Sequence, residues 1–160
     1  ALPGWLHGNV SAQILRTVGG LFHRHQASNG EGGWWIASEI SVQYLNTDRI
    51  LQADLAGWKR DQHSQPPDGF PVTIRPDWVC EVCHTTRKKD RELVPDTLSK
   101  AGVPYYWFVD AEELFLEVWE LQVDKSWKII KILTEKNEEQ IIQPFVTQTL
   151  SPKQLLQKDW

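Results

Sequence analysis

The chain has 160 residues, of which 41% are hydrophobic and 24% are charged, and its formal net charge is −4 at pH 7. No apolar run approaches the roughly 18 residues that span a bilayer, which argues against a membrane protein or membrane partner. The acidic balance argues against binding nucleic acid through overall charge alone, although acids clustered around a divalent cation would reverse the local sign. We expect one domain over residues 1–160, and two cysteines without a disulfide framework are compatible with a cytoplasmic location.

The first predicted elements are a helix and a β-hairpin. Apolar residues recur at helical spacing from Asn9 to His25, which predicts a helix with Asn9 or Ser11 as its N-cap. Apolar and polar residues alternate over 39–45, and a second strand pattern covers 49–58, with turn residues between the two. This arrangement predicts a pair of antiparallel strands.

The second hairpin strand carries an acid among apolar residues. Alternation predicts that Leu51, Ala53 and Leu55 share one face and that Asp54 points to the other. The segment 59–71 contains prolines, polar residues and a glycine, and it is predicted to be an exposed loop.

The second half of the chain combines further strands with two helices. The apolar run Trp78–Cys83 predicts a core strand, and Asp90–Ala101 predicts a helix in which Pro95 is tolerable only in the first turn. Ser151 followed by proline predicts a short capped helix. The other predicted strands cover 105–109, 115–121 and 127–133, with a short apolar pair at 141–142. The layout predicts an α/β domain with a mixed sheet.

The strand over 78–83 carries one carboxylate, Glu81, inside an apolar run. An ionised carboxylate is costly in a core strand unless a cation or a hydrogen-bond network meets it. Two carboxylates from adjacent strands can hold one or two hard divalent cations, which polarise a phosphoryl oxygen and make hydroxide available near neutral pH. Asp54 and Glu81, supported by Glu39 and Asp77, are therefore a candidate metal site.

A structural interpretation of these acids stays open, with Glu81 paired with Arg87 or Arg91 and the other acid at a strand edge. The basic run formed by Arg87, Lys88 and Lys89, together with Arg91, is typical of a solvated turn. Beside a metal site the same cations can instead grip phosphate groups.

The segment Cys80-Glu-Val-Cys-His84 matches the attachment pattern of c-type haem. Positions i and i+3 of a strand point to opposite faces, so Cys80 and Cys83 are predicted to diverge, which favours small thiols in a core strand. His7, near the first helix, is interpreted as a structural or surface residue.

A series of motifs across nearly the whole chain resembles the Uma-type restriction-endonuclease-like family, a branch of the PD-(D/E)XK nuclease superfamily. The motifs stand in the family's order and at its spacing. They are Gly33-Trp-Trp-Ile with Glu39, Ala53-Asp-Leu-Ala-Gly-Trp58, Pro76-Asp-Trp-Val-Cys-Glu-Val82, Thr86 to Arg91, and Ala101-Gly-Val-Pro-Tyr-Tyr-Trp-Phe-Val-Asp110.

The resemblance implies a restriction-endonuclease-like fold, with a central mixed β-sheet flanked by helices, and metal-dependent hydrolysis of DNA phosphodiester bonds. Asp54 and Glu81 match the family's two metal-binding acids, and Glu39 matches an acid on the preceding strand. By analogy with the superfamily, the carbonyl of Val82 is a further ligand. The implied cofactor is Mg²⁺ or Mn²⁺, and a water activated by the ion and a lysine attacks the phosphodiester.

The sequence departs from the family pattern at the lysine. The family's lysine position, in the helix after the Glu strand, is Val94, and the tyrosine that commonly follows is Leu98. The superfamily's usual lysine position is Cys83. A lost lysine removes a stabiliser of transition-state charge, which can cost several kcal/mol.

Two consequences follow for function. Lys88 or Lys89 can replace the missing catalytic cation if the turn folds back, and Arg87, Lys88 and Arg91 are candidate contacts to DNA. The alternative is a catalytically inactive nuclease fold that serves as a binding or assembly module. The Trp-rich strands near the C-terminus are compatible with a homodimer surface or with sheet core, and the family's N-terminal helix is expected to be partly missing before Ala1.

Overall fold

The computed structural model describes residues 4–83 and 88–157, with side chains described for the same ranges except at 88–91. Groups of strands lie between the helices along the chain, as the sequence predicts. The elements are α1 (Trp5–Phe22), β1 (Trp34–Tyr44), β2 (Arg49–Lys59), β3 (Trp78–Cys83), α2 (Lys88–Ala101), β4 (Tyr105–Asp110), β5 (Phe115–Leu121), β6 (Trp127–Thr134), β7 (Gln140–Ile142), β8 (Phe145–Leu150) and α3 (Pro152–Leu155).

The six strands β1 to β6 form one mixed sheet in sequence order. Strands β3 and β4 are parallel, and all other neighbours in this sheet are antiparallel. The parallel pair needs a crossover connection, which α2 provides. Strands β7 and β8 form a separate two-stranded sheet. The predicted α/β class with a mixed sheet is therefore confirmed. None of the described helices is long and apolar enough to cross a membrane.

The sheet buries both faces. One face, called the α1 face, packs against Val10, Ile14, Val18 and Phe22 of α1. The opposite face, called the α2 face, packs against Leu98 of α2. An amphipathic helix on each side explains why the central strands β3 and β4 are almost wholly apolar. The α1 face contains Trp78, Cys80, Val82, Trp107 and Val109, and the α2 face contains Val79, Tyr106 and Phe108.

Both strands of the β1–β2 hairpin change face at the same level. In β2, Leu55 packs on the α1 face whereas Ala53 and Leu51 pack on the α2 face, so the prediction that these three residues share one face is wrong. The physical cause lies at Glu39, whose φ of 50° is in the left-handed region. The regular pairing skips Glu39 and Asp54, since it passes from Ser38↔Leu55 to Ile40↔Ala53.

Two of the predicted helices differ from the structure, and the third has the predicted cap. Helix α1 begins at Trp5 after the N-cap Gly4, not at Asn9 or Ser11, because the apolar contacts of its buried face continue towards the N-terminus. Helix α2 begins at Lys88, so Pro95 lies in its interior rather than in its first turn. Packing on the sheet compensates, and the carbonyl of Pro95 accepts a hydrogen bond from the Trp127 indole at 3.0 Å. The predicted cap of α3 is present: Ser151 Oγ accepts from the Gln154 amide at 3.3 Å.

The loop between β2 and β3 returns to cover the outer edge of β1. Val72 exchanges two backbone hydrogen bonds with that edge, donating to Ser41 at 2.9 Å and accepting from Gln43 at 2.8 Å. Covering an edge strand in this way removes a row of unpaired backbone groups. The loop therefore occupies the outer edge of β1 at Ser41 and Gln43, just after Glu39, so no further strand can pair there.

Candidate functional site

Strands β2 and β3 separate at the level of two carboxylates. Their pairing runs through Gly57↔Trp78 and Ala56↔Val79 and ends at Leu55↔Cys80. Extending this register by one step places Asp54 opposite Glu81. The backbone positions of the two acids predicted from the sequence are therefore neighbours at the point where the strands diverge.

The carboxylate of Asp54 replaces the backbone partner that β3 loses there. Its Oδ2 accepts a hydrogen bond from the Val82 amide at 2.8 Å. Val82 is 4% exposed, so its N–H group would otherwise be buried without a partner. Asp54 is therefore fixed between the strands, and its position depends on the break in the hairpin pairing.

The second oxygen of Asp54 faces a histidine from helix α1. Asp54 Oδ1 lies 3.3 Å from His7 Nε2, and both side chains are about one-fifth exposed. The hydrogen bond that His7 donates to Asp54 raises the pKa of His7, and burial opposes this rise. The Asp54 charge, a hydrogen bond to the Val82 backbone and the Glu39 charge add to it. The pairing of β1 with β2 skips Glu39 and Asp54 at the same level, so Glu39 lies in the same region as Asp54.

His7 is the site residue that the sequence analysis missed. It was interpreted as structural or surface, whereas it contacts the first candidate metal-binding acid. A signal was present in the spacing, because His7 lies three residues before Val10 and seven before Ile14, on the helix face that the core buries.

Glu81 projects from the α2 side of β3 and is partly buried. Its charge reaches the tyrosines around it: burial is the main reason why the pKa of Tyr44 is raised, and the Glu81 carboxylate adds to the rise. Burial likewise raises the pKa of Tyr106, with further contributions from Cys83, Glu81, Cys80 and Asp54. Glu81 therefore lies on the same face of the sheet as Tyr44 and Tyr106, whereas helix α1, which carries His7, packs on the opposite face.

The donor atoms suit a hard cation, but they are not assembled around one. Carboxylate oxygens of Asp54, Glu81 and Glu39 and the carbonyl of Val82 are the ligand type that Mg²⁺ and Mn²⁺ prefer. Within the described part of the chain, however, no three His, Cys, Asp or Glu side chains converge into a ready metal site. Glu39 is exposed, and Asp54 is already engaged by His7 and by a backbone amide.

The remaining predicted site residues fall into two groups. Asp77, proposed as a supporting acid, is engaged elsewhere, because its Oδ2 accepts from the Lys59 amide at 2.8 Å and its Oδ1 from Arg75 at 3.1 Å. It anchors the loop before β3 instead of joining Glu81. The side chains of the basic turn lie outside the described residues, so the predictions for Arg87, Lys88, Lys89 and Arg91 stay predictions; the same holds for His84.

The two cysteines diverge, as strand geometry predicts. Cys80 is fully buried on the α1 face, and Cys83 packs on the α2 face. Burial raises the pKa of the Cys80 thiol well above its usual value, and the nearby charges of Asp54, Glu81 and Cys83 add to this rise. A buried thiol with a raised pKa is unreactive, which agrees with a structural role.

Comparison with known proteins assigns the chain to a family. The family model Uma2, described as "Putative restriction endonuclease", matches residues 1–152. A crystal structure described as a putative nuclease belonging to DUF820, from Anabaena variabilis ATCC 29413, is similar with a TM-score of 0.70 and 16% sequence identity. The similarity covers 98% of this chain and 83% of that chain. No curated protein matches the chain.

These comparisons confirm the resemblance and the restriction-endonuclease-like fold that it implies. At 16% identity the structural similarity establishes the fold alone. The family model carries the assignment, since it spans nearly the whole sequence. The chain belongs to the Uma2 family of restriction-endonuclease-like proteins.

Proposed function

We propose that this protein is a metal-dependent endonuclease of the PD-(D/E)XK type that hydrolyses DNA phosphodiester bonds. The observation that carries the proposal is the register of β2 and β3, which sets Asp54 and Glu81 at adjoining positions where the strands separate. Membership of the Uma2 family supports a nuclease-type activity on this fold.

Each acid has a distinct part in the proposal. Asp54 and Glu81 hold one Mg²⁺ or Mn²⁺ ion, with the Val82 carbonyl and Glu39 as further oxygen donors. A bound ion would polarise a phosphoryl oxygen and lower the pKa of an attacking water. The Val82 amide orients the Asp54 carboxylate through its hydrogen bond, so the strand that carries Glu81 also positions the other acid.

The cationic partner comes from the basic turn in this proposal. The positions where the family and superfamily carry lysine are Val94 and Cys83, and both pack on the apolar α2 face. Neither side chain can stabilise developing negative charge. We therefore assign that part to Lys88 or Lys89, at the start of α2, with Arg87 and Arg91 contacting the DNA backbone.

A cleavage assay with matched variants tests the proposal. Purified protein is incubated with labelled duplex DNA and Mn²⁺, and the cleavage rate is compared for wild type, Asp54→Asn, Glu81→Gln and Asp48→Asn. Asp48 is an exposed acid in the turn of the same hairpin and serves as the control. We expect loss of activity by about 100-fold or more in the first two variants only. Equal activity in all three variants would overturn the proposed roles.

A second candidate function is a catalytically inactive nuclease fold that acts as a binding or assembly module. It is favoured by one specific observation: both Asp54 oxygens are satisfied within the chain, by His7 and by the Val82 amide. A carboxylate used in this way stabilises the fold without a metal ion.

Thermal melting with Mn²⁺ separates the two candidates. An ion present at about 100 times its Kd stabilises the folded state by about 2.7 kcal/mol, which is about 5–10 °C in Tm for a domain of this size. The endonuclease proposal expects this shift in wild type and its loss in Asp54→Asn. No metal-linked shift in wild type would support the binding module instead.

A further inference from the structure

A cavity with charged residues in its lining lies at the end of the β1–β2 hairpin where β1 begins and β2 ends, away from the acid pair. It has a volume of about 400 Å³ and lies between the loop after α1, the paired ends of β1 and β2, and the start of β8. Its lining includes Lys59 and Arg60, with His25 and Gln26 from the loop. These residues give the cavity a chemistry unlike that of the acid pair.

The cavity carries positive charge on a protein that is negative overall. Lys59 and Arg60 are adjacent cations, and Asp61 is the acid that shares the lining, so the fixed charge is positive before His25 is considered. The whole chain has a formal net charge of −4. Cations gathered in a concave site of a protein whose net charge is negative create a local positive potential there, which attracts anions.

Arg60 is held in place without the help of a carboxylate. Its amide donates to the Gly33 carbonyl at 2.9 Å, and its Nε donates to the Trp34 carbonyl at 2.8 Å. The guanidinium carbon lies 3.7 Å above the ring centroid of Trp35. Among the residues that the structure describes, no carboxylate forms an ion pair with Arg60. These contacts fix the plane of the cation and use only its Nε, which leaves the two terminal amino groups for a ligand.

We propose that this cavity binds a phosphate group, held by the terminal amino groups of Arg60 and the ammonium of Lys59. A planar guanidinium recognises two oxygens of a phosphate at once, and a lysine beside it adds a point charge. The cavity is far larger than one phosphate, so the ligand is a phosphate-bearing molecule such as a nucleic-acid strand.

The position of the cavity suits a phosphate away from the reacting bond. The pair Trp34↔Lys59 and the pair of positions 39 and 54 are five residues apart along the same hairpin, which is about 16 Å at 3.3 Å per residue. A site at this distance positions a bound strand without taking part in hydrolysis.

Two experiments test the phosphate site, both in EDTA so that the outcome does not depend on metal or cleavage. In the first, sodium pyrophosphate is titrated into ¹⁵N-labelled wild type, with sodium acetate at matched ionic strength as the control anion. We expect saturable shifts of the Gly33 and Arg60 amide signals with pyrophosphate and little change with acetate. In Lys59→Gln, which keeps the stacked arginine, the pyrophosphate Kd should rise by about tenfold.

In the second experiment, binding of a labelled DNA duplex is measured over a range of salt concentrations. The double variant Lys59→Gln/Arg60→Gln is compared with Lys128→Gln/Lys136→Gln, which removes two exposed cations elsewhere. Loss of one or two phosphate contacts should lower the slope of log K against log salt by about 1–2 in the first variant alone.

The outcomes separate the sources of the phosphate. Pyrophosphate shifts together with a lower DNA slope support a nucleic-acid phosphate, and pyrophosphate shifts with an unchanged slope support a free phosphate-bearing ligand in the same site. No saturable shift in wild type, or equal Kd in Lys59→Gln, would overturn the site. Both experiments measure binding and not cleavage, so their results can be interpreted even if the protein proves not to be an endonuclease.

Discussion

The hydrogen bond from the Val82 amide to Asp54 should make a measurable contribution to stability. Asp54→Ala removes a charged acceptor at 2.8 Å and leaves a buried N–H group without a partner. A charged hydrogen bond of this kind contributes about 1.5–3 kcal/mol. The contact with His7 adds little, about 0–1 kcal/mol, because both side chains are partly exposed to solvent. We expect the free energy of unfolding to fall by about 1.5–4 kcal/mol.

Urea denaturation followed by tryptophan fluorescence measures this loss. Asp54→Asn keeps an oxygen that can accept from the Val82 amide, so we expect a smaller loss of about 1 kcal/mol. Gln52→Ala is the matched control, because this side chain is exposed on the same strand and its removal should change stability by no more than about 0.5 kcal/mol. If Asp54→Ala is no more destabilising than Gln52→Ala, the hydrogen bond to the Val82 amide does not make this contribution.

Three further predictions concern other parts of the chain. Gly57→Ala should lose about 1–3 kcal/mol in urea denaturation, because its added Cβ would lie 3.0 and 3.1 Å from carbons of two buried indole rings; an unchanged midpoint would show that these rings have room. Burial, and secondarily the charge of Arg60, lowers the pKa of His23, whose Nδ1 accepts from a β1 amide at 2.8 Å. Neutral His23 therefore contributes its full stabilisation above about pH 6.5, and this is lost as pH falls towards the lower pKa of the folded state. The Tm should drop less between pH 7.5 and 5.5 in His23→Gln than in wild type. Equal drops in the two proteins would contradict this. His7→Ala should tighten Mn²⁺ binding to Asp54 in calorimetry, because it removes a competing partner of Oδ1, and weaker binding would mean that the imidazole assists the metal.

The strands of the sheet centre could be predicted almost to the residue. Trp78–Cys83 and Phe115–Leu121 have the bounds that the sequence indicates, since a short apolar run ended by turn residues has few alternatives to a buried strand. The faces of the β1–β2 hairpin were harder to predict, because the alternation of side chains between the two faces is interrupted at Glu39. A left-handed residue that is not glycine leaves no pattern in composition, and alternation then assigns the wrong face to every residue beyond it.

The candidate site was partly accessible from the sequence. Asp54 and Glu81 could be paired because both fall on strands that are neighbours in the chain and match the family motifs. The contact from His7 could not be derived in the same way, because it depends on how helix α1 packs across the sheet. The role of Asp77 was also hidden, since alternation gives the side of a strand but not the loop that covers it. Local spacing fixes the direction of a side chain, and tertiary packing fixes its partner.

The central claim is that Asp54 and Glu81 share one divalent cation. The most direct measurement is a crystal structure of the protein soaked with Mn²⁺, with anomalous scattering recorded to locate the ion. We expect one anomalous peak about 2.0–2.3 Å from a carboxylate oxygen of each residue, with the Asp54 oxygen that faces His7 turned to the metal. Carboxylates that keep their present partners, with no peak between residues 54 and 81 at saturating Mn²⁺, would contradict it.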